Sequence, residues 1–246
     1  MSRIAIIAAL ERELDPLVRG WARSRLESSG KSLPCFENGE LIAVAGGIGC
    51  RCAELAARAV IEKYRPQTLI SAGLAGALIR SLKVGSIVTP NVIVDAATGT
   101  EYRCQLGSDV VGGGVLVSAA EIAGSGSKAN LAQRFHALVV DMEAAGVAKA
   151  AQEFNVGFRC VKAISDEFDF SMPPMNRFVD AQGDFRTGTF LVWAALRPQY
   201  WPATIRLARN GQRAARALAD WLRENLTGNF PRATVVTLSG AEHFRD

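Results

Sequence analysis

The stretch that decides the fold runs from residue 137 to residue 166, ALVVDMEAAGVAKAAQEFNVGFRCVKAISD. Ala137–Val140 is a short apolar run that reads as a buried strand, and it delivers Asp141-Met142-Glu143 at its end. An alanine-rich helix is expected over Ala144–Phe154, followed by a second apolar strand, Phe158–Ile164, that ends in Ser165-Asp166. Strand, helix and strand in this order are the unit of a sheet covered by helices. In such folds ligands gather where the strands end, and both acidic clusters of this stretch stand there.

The pattern continues on both sides. Upstream, Val115–Ser118 reads as a strand and Lys128–Phe135 as a short helix, while the polar, glycine-rich Thr98–Gly114 reads as loop. Val84–Val94 is strand material interrupted by Pro90, and Thr68–Ala72 is a buried strand closing in the tight turns of Gly73-Leu74-Ala75-Gly76. Gly46-Gly47-Ile48-Gly49 leads into a helix over Cys52–Tyr64. Asn38-Gly39 marks a hairpin whose return strand is Leu41–Ala45, and Ile4–Ala9 is the first buried strand. Downstream, Phe190–Leu196 is strongly apolar, Ala203–Leu226 reads as a helix bearing Arg206, Arg209, Arg213, Arg216 and Arg223, and the residues after Thr227 read as a loose tail. No linker or repeat divides the chain. The expectation is one α/β domain over residues 1–246, with an apolar then basic helical extension over 186–227.

Bulk properties narrow the function. The 246 residues are 49% hydrophobic and 21% charged, the proportions of a soluble globular protein. A formal charge of +4 permits an anionic substrate but falls short of a nucleic-acid-binding surface. Cys35, Cys50, Cys52, Cys104 and Cys160 lack metal-ligand or redox spacing, and His136 and His243 are the sole histidines. The cysteines are therefore expected to be free thiols in a reducing compartment, with no metal and no cofactor. Residues 4–9 are too short for a membrane span and are followed at once by Glu11 and Glu13, so neither a signal peptide nor a transmembrane helix is expected and the protein is placed in the cytoplasm.

Taken singly, the polar clusters have plain structural readings. Asp166 after a strand reads as a cap or loop residue as readily as a general acid whose pKa is raised by burial. Asp141 and Glu143 complement a helix N-terminus, with Met142 as core filler, as readily as they bind a sugar. The glycines match neither the dinucleotide fingerprint nor the nucleotide P-loop.

The ordered combination is far more specific. Residues 4–13, Gly47-Ile48-Gly49, Ala72–Gly76, Val84–Val88, Val140–Ala144 and Ala163–Asp166 together resemble the nucleoside phosphorylase family, most closely its methylthioadenosine/S-adenosylhomocysteine nucleosidase branch. The resemblance spans most of residues 3–169. It implies a three-layer α/β/α sandwich around a twisted mixed sheet, and cleavage of the bond between adenine and ribose. By that resemblance Asp166 assists departure of the purine at N7, Glu13 activates the attacking water with Glu11 in reserve, Glu143 holds ribose hydroxyls and Met142 packs on the sugar. Ser165, Ala75, Gly76, Ile122 and Phe168 are the further substrate-binding candidates. Three departures from the family pattern stand out: Leu74 where a serine is usual, Ile122 where an aromatic stacks on the base, and Asp141 where a glutamate precedes the methionine.

Water or phosphate is the next question. Glu13 favours hydrolysis, whereas Arg51 and Gly49 at a helix start would suit a phosphate, with Arg12 a further cation nearby. The segments Leu116–Ala145 and Phe190–Arg209 are also similar to the hopanoid-associated branch, which removes adenine from adenosylhopane. An apolar mouth for its tail is expected from Phe190, Leu191, Trp193, Tyr200 and Trp201, with the arginine-bearing helix against anionic headgroups. A purine nucleoside, water or phosphate, a second copy in a homodimer and peripherally a membrane are the expected partners. A nucleoside-binding protein without turnover is the alternative that Leu74 motivates.

Overall fold

The computed structural model describes residues 3–105, 113–180, 183 and 185–226. The tail after Thr227, part of the expected loop at 106–112 and the side chain at position 191 lie outside the described residues.

A central sheet carries the molecule. Its hub is β5 (Thr68–Ala77), flanked in parallel by β1 (Ile4–Ala8) on one edge and β11 (Gly157–Asp166) on the other. β10 (Ala137–Asp141) meets the last residues of β5 in antiparallel sense, with Val140 opposite Gly76, so the sheet is mixed. β4 (Leu41–Ala45), β3 (Lys31–Asn38) and β2 (Ala22–Ser28) extend it beyond β1. β9 (Val115–Ser118), β7 (Val92–Asp95) and β8 (Glu101–Arg103) extend it beyond β10, and β6 (Ile87–Val88) pairs with β11.

Alternation along the strands sorts side chains into two layers. Ala5, Ile7, Leu69, Cys160 and Ile164 face α2 (Cys50–Tyr64) and α4 (Ala144–Glu153). Ile6, Ala8, Ile70, Ala72, Val161 and Ala163 face α1 (Glu11–Leu14) and α6 (Trp201–Leu226). On α2 the buried positions Ala53, Ala56, Ala57, Val60, Ile61 and Tyr64 recur at helical spacing, which makes one face of the helix apolar. On α6 the buried residues Ala214, Ala215, Leu218, Ala219 and Leu222 belong to its second half, so that half is part of the outer layer. Each fully buried leucine or isoleucine contributes roughly 1.5–3 kcal/mol by leaving water. α3 (Ser125–Phe135) covers β10 and β9. The result is the expected α/β/α sandwich on a mixed sheet.

Several local expectations need correction. The stretch Gly73–Gly76 forms no turn: β5 runs through it to Ala77 because β11 pairs with it throughout. β8 lies inside the expected 98–114 loop, its polar residues holding a ladder with β7. β2 was not foreseen; its alternation of exposed Arg23 and Glu27 with buried Leu26 and Ser28 is that of an edge strand. The expected apolar mouth packs on itself. Phe190 of α5 (Thr187–Ala195) is buried against Phe178, and Trp193 lies 4.9 Å from Tyr200 between ring centres.

Candidate active site

The polar groups of the interior assemble at the C-terminal end of β5. Two glycines of that strand make room for them. A Cβ at Gly73 would stand 3.0 Å from Glu13 Oε2, and one at Gly76 would stand 2.9 Å from Asp166 Oδ2. Any larger residue would push a carboxylate away. The two positions are three residues apart, roughly 10 Å along an extended strand.

Around Gly73 lies the first cluster. Glu13 is buried on α1, and its Oε2 has no hydrogen-bond partner among the described residues. Burial pushes its carboxyl up to about 7, against the opposing pull of Lys162 and Arg12. Lys162, buried in β11, donates to Asp141 Oδ2 at 2.8 Å and to Ser71 Oγ at 3.1 Å. Burial is the largest single influence and works against its charge, but Asp141 together with Cys160 and Glu143 outweighs it and the pKa is raised. Asp141 also accepts from Ser118 Oγ (2.6 Å) and from the backbone N–H of Ala144 (2.9 Å), so it is both cap and counter-ion. Beside it, Glu143 accepts from the Gly49 N–H at 3.0 Å and the Met142 N–H at 3.2 Å. Burial and then the neighbouring Asp141 push Glu143 up to about 8. Two carboxyls therefore titrate near neutrality, one of them carrying an unpartnered oxygen.

Around Gly76 lies the second cluster. Asp166 ends β11 opposite Gly76, and Ala75 pairs with Ile164 in the same ladder. The Ser165 hydroxyl donates to Asp166 Oδ1 at 2.8 Å, with the Ala75 carbonyl 3.3 Å away. Oδ2 pairs with the ammonium of Lys128, whose side chain is wholly buried. Asp166 is thus fully partnered where Glu13 is not.

The structure brings Glu13, Met142, Glu143, Ser165, Asp166, Ala75 and Gly76 to this strand end. The other candidates have partners or surroundings of their own. Glu11 pairs with Arg23 at 2.9 Å on the surface. Ile122 donates its N–H to Asn176 Oδ1 at 2.9 Å, and Phe168 lies under the Arg80 guanidinium at 5.2 Å. Arg51 is exposed. The Gly46–Gly49 turn offers little to a phosphate, because its N–H groups are already engaged: Gly46 with Ala8, Gly47 with Ala9, Ile48 with Gly183 and Gly49 with Glu143. Leu74 packs in the apolar layer shared with α6. None of the five cysteines forms a disulfide, and burial pushes the Cys50 thiol up to about 12.

Lys128, Lys162, Ser71 and Ser118 were not foreseen. Lys162 carried a signal, since a lysine inside the apolar run Phe158–Ile164 needs a buried partner. Lys128 carried a fainter one: it shares the helical face of Leu131, Ala132 and Phe135, which pack against the core.

Fold and site together define an α/β/α enzyme-like protein with a water-excluding cluster of carboxylates where its central strands end. The sequence pattern of the Phosphorylase superfamily matches residues 3–111 and 97–186, and the chain belongs to that superfamily. It is 24% identical over 206 residues, 69% of this chain and 80% of the other, to the 5′-methylthioadenosine/S-adenosylhomocysteine nucleosidase of Buchnera aphidicola. Its fold is similar to that of the nucleosidase of the same name from Helicobacter pylori, with TM-score 0.67, 19% identity and 91% and 97% of the two chains covered. It is also similar to the futalosine hydrolase of H. pylori, with TM-score 0.67, 18% identity and 90% and 96% covered.

Proposed function

We propose that this protein hydrolyses the N-glycosidic bond of an adenine nucleoside. The observation that carries the reading is Glu13: a buried carboxyl titrating at about 7, with one oxygen unpartnered above Gly73, is suited to take a proton from water at neutral pH. Glu143 lies in the same electrostatic cluster and accepts ribose hydroxyls, with Met142 against the sugar. Asp166, across β5, serves the imidazole side of the base, with Ser165, Ala75 and Gly76 beside it. A purine anion leaves poorly, so proton delivery to N7 lowers the barrier as C1′–N9 breaks, and nearby carboxylates stabilise the oxocarbenium-like sugar.

Water is favoured over phosphate by the spent N–H groups of residues 46–49 and by the carboxyl of Glu13, which becomes negative as pH rises through about 7. Leu74, partly buried in the layer shared with α6, leaves the carboxylate clusters intact, which favours turnover over mere binding. Adenine release from adenosine, methylthioadenosine and adenosylhopane, followed by chromatography, tests the activity. Binding of all three without release would overturn it.

We further infer that the 5′ substituent is long and apolar, as in adenosylhopane, and that the enzyme works at an anionic membrane surface. Val192 of α5, Leu196 just after it, and Trp201 and Ile205 at the start of α6 are exposed large apolar residues, and among the described residues only Phe154 joins them elsewhere. From 185 to 219 the chain has no acidic residue but has arginines at 186, 197, 206, 209, 213 and 216. Apolar side chains amid cations suit a lipid interface. Among the described residues no helix is long and apolar enough to cross a membrane, so contact would be peripheral. Co-sedimentation with phosphatidylglycerol vesicles that falls in Trp201→Ser/Ile205→Ser is expected, and equal sedimentation with neutral vesicles would contradict it.

A further inference from the structure

Asp166 has a task under the glycosidase reading for which its surroundings leave it unequipped. To neutralise a departing purine it must deliver a proton, yet both its oxygens already accept hydrogen bonds. Oδ1 takes the Ser165 hydroxyl and Oδ2 takes the Lys128 ammonium. A carboxylate in an ion pair carries no proton of its own. The nearest mobile proton is on Lys128.

We propose that Lys128 is the positioning residue and proton source for Asp166. Its side chain is fully buried, and its ammonium is spent entirely on one locus: Asp166 Oδ2, the Glu167 carbonyl at 2.8 Å and the Asp166 carbonyl at 3.4 Å. Such burial has an energetic oddity. A buried ion pair is seldom more stable than apolar residues of the same volume, so stability alone gives no reason to place one here. The site chemistry does. As the C1′–N9 bond breaks, its electron pair passes to the purine. One proton moves from Lys128 Nζ to Asp166 Oδ2 and on to N7, so the base departs neutral. Lys128 is left as a neutral amine and regains its proton from solvent after the base leaves. The two carbonyls keep Nζ in place throughout, and Ser165 keeps the carboxylate from rotating.

The inference rests on the glycosidase reading, and leaving-group chemistry separates the two. Lys128→Met and Lys128→Gln would be assayed on methylthioadenosine and on 4-nitrophenyl riboside, whose leaving group departs without protonation, with thermal melts run alongside. Expected is a fall in kcat of about 100-fold or more on the nucleoside, the scale of general-acid help, with KM changed less than about threefold. On the nitrophenyl riboside the fall stays under about fivefold, and Lys128→Arg, which keeps the charge but holds its proton too tightly to pass it on, fails to recover the nucleoside activity. Equal losses on both substrates in either folded variant, or no loss on the nucleoside, would overturn the assignment to Lys128 alone. If the unaltered protein released base from neither substrate, the glycosidase reading and this inference would fall together. Should Lys128→Met not fold, the Gln and Arg variants decide the matter by the same ratio.

Discussion

Glu13 and Asp166 are two buried carboxyls that lie against the same strand, at glycines three residues apart, in opposite circumstances. Glu13 keeps an unpartnered oxygen above Gly73 and titrates at about 7 because burial outweighs the cations near it. Asp166, against Gly76, is held by a hydroxyl on one oxygen and an ammonium on the other. Under the proposed reaction the difference is a division of labour. A base must be able to gain a proton at working pH and must have an open lone pair to receive it. An acid at the other end of the substrate needs a renewable proton and a fixed direction. Desolvation without a partner yields the first, and a buried ion pair the second.

The comparison breaks most visibly at Glu13. Glu13→Gln removes the base but keeps the shape, and kcat should fall by about a thousandfold or more on methylthioadenosine and on 4-nitrophenyl riboside alike, since both need activated water. Asp166→Asn should fall by about a hundredfold or more on the nucleoside only, with the nitrophenyl substrate largely spared. Parallel losses in both variants would mean that the two carboxyls share one role.

The pH dependence sharpens it further. Glu13 acts as a base only when ionised, so kcat should rise with pH, level off above about 7, and lose that limb in Glu13→Gln. Stability should move the other way. The folded carboxyl binds its proton more tightly than the unfolded one, so the folded state holds more protons between pH 4.5 and about 7, and stability declines as pH rises through that window. From Glu13 alone the decline is up to roughly 3 kcal/mol, and denaturant titrations of Glu13→Gln should lack it. A wild-type stability that rose across the window relative to Glu13→Gln would contradict the desolvated setting of Glu13.

Legibility in the sequence followed the same physical lines. Apolar runs revealed the central strands, because burial on both faces writes itself as hydrophobicity: Ile4–Ala8, Thr68–Ala72 and Phe158–Ile164 all emerged. Edge strands did not. Ala22–Ser28 and Glu101–Arg103 are polar on their open sides and are held by backbone ladders that leave little trace in composition. Glycines at 73 and 76 read as turns, whereas they serve close approach of carboxylates to a continuing strand. The acids of the site were legible as an ordered motif. Their cationic partners were less so, since a lysine in a sequence reads by default as solvated, and only the apolar company of Lys162 and the helical spacing of Lys128 argued otherwise. Aromatic residues 190, 193 and 200 show the limit of composition: they announced an apolar surface and turned out to cover one another.

The central claim is that Glu13 directs water onto C1′ of an adenine nucleoside while Asp166 assists departure of the base. The direct measurement is identification of the sugar product from methylthioadenosine, by chromatography and NMR, in buffers with and without inorganic phosphate. The account predicts free methylthioribose at the same rate in both. Methylthioribose 1-phosphate, formed only when phosphate is present, would contradict it.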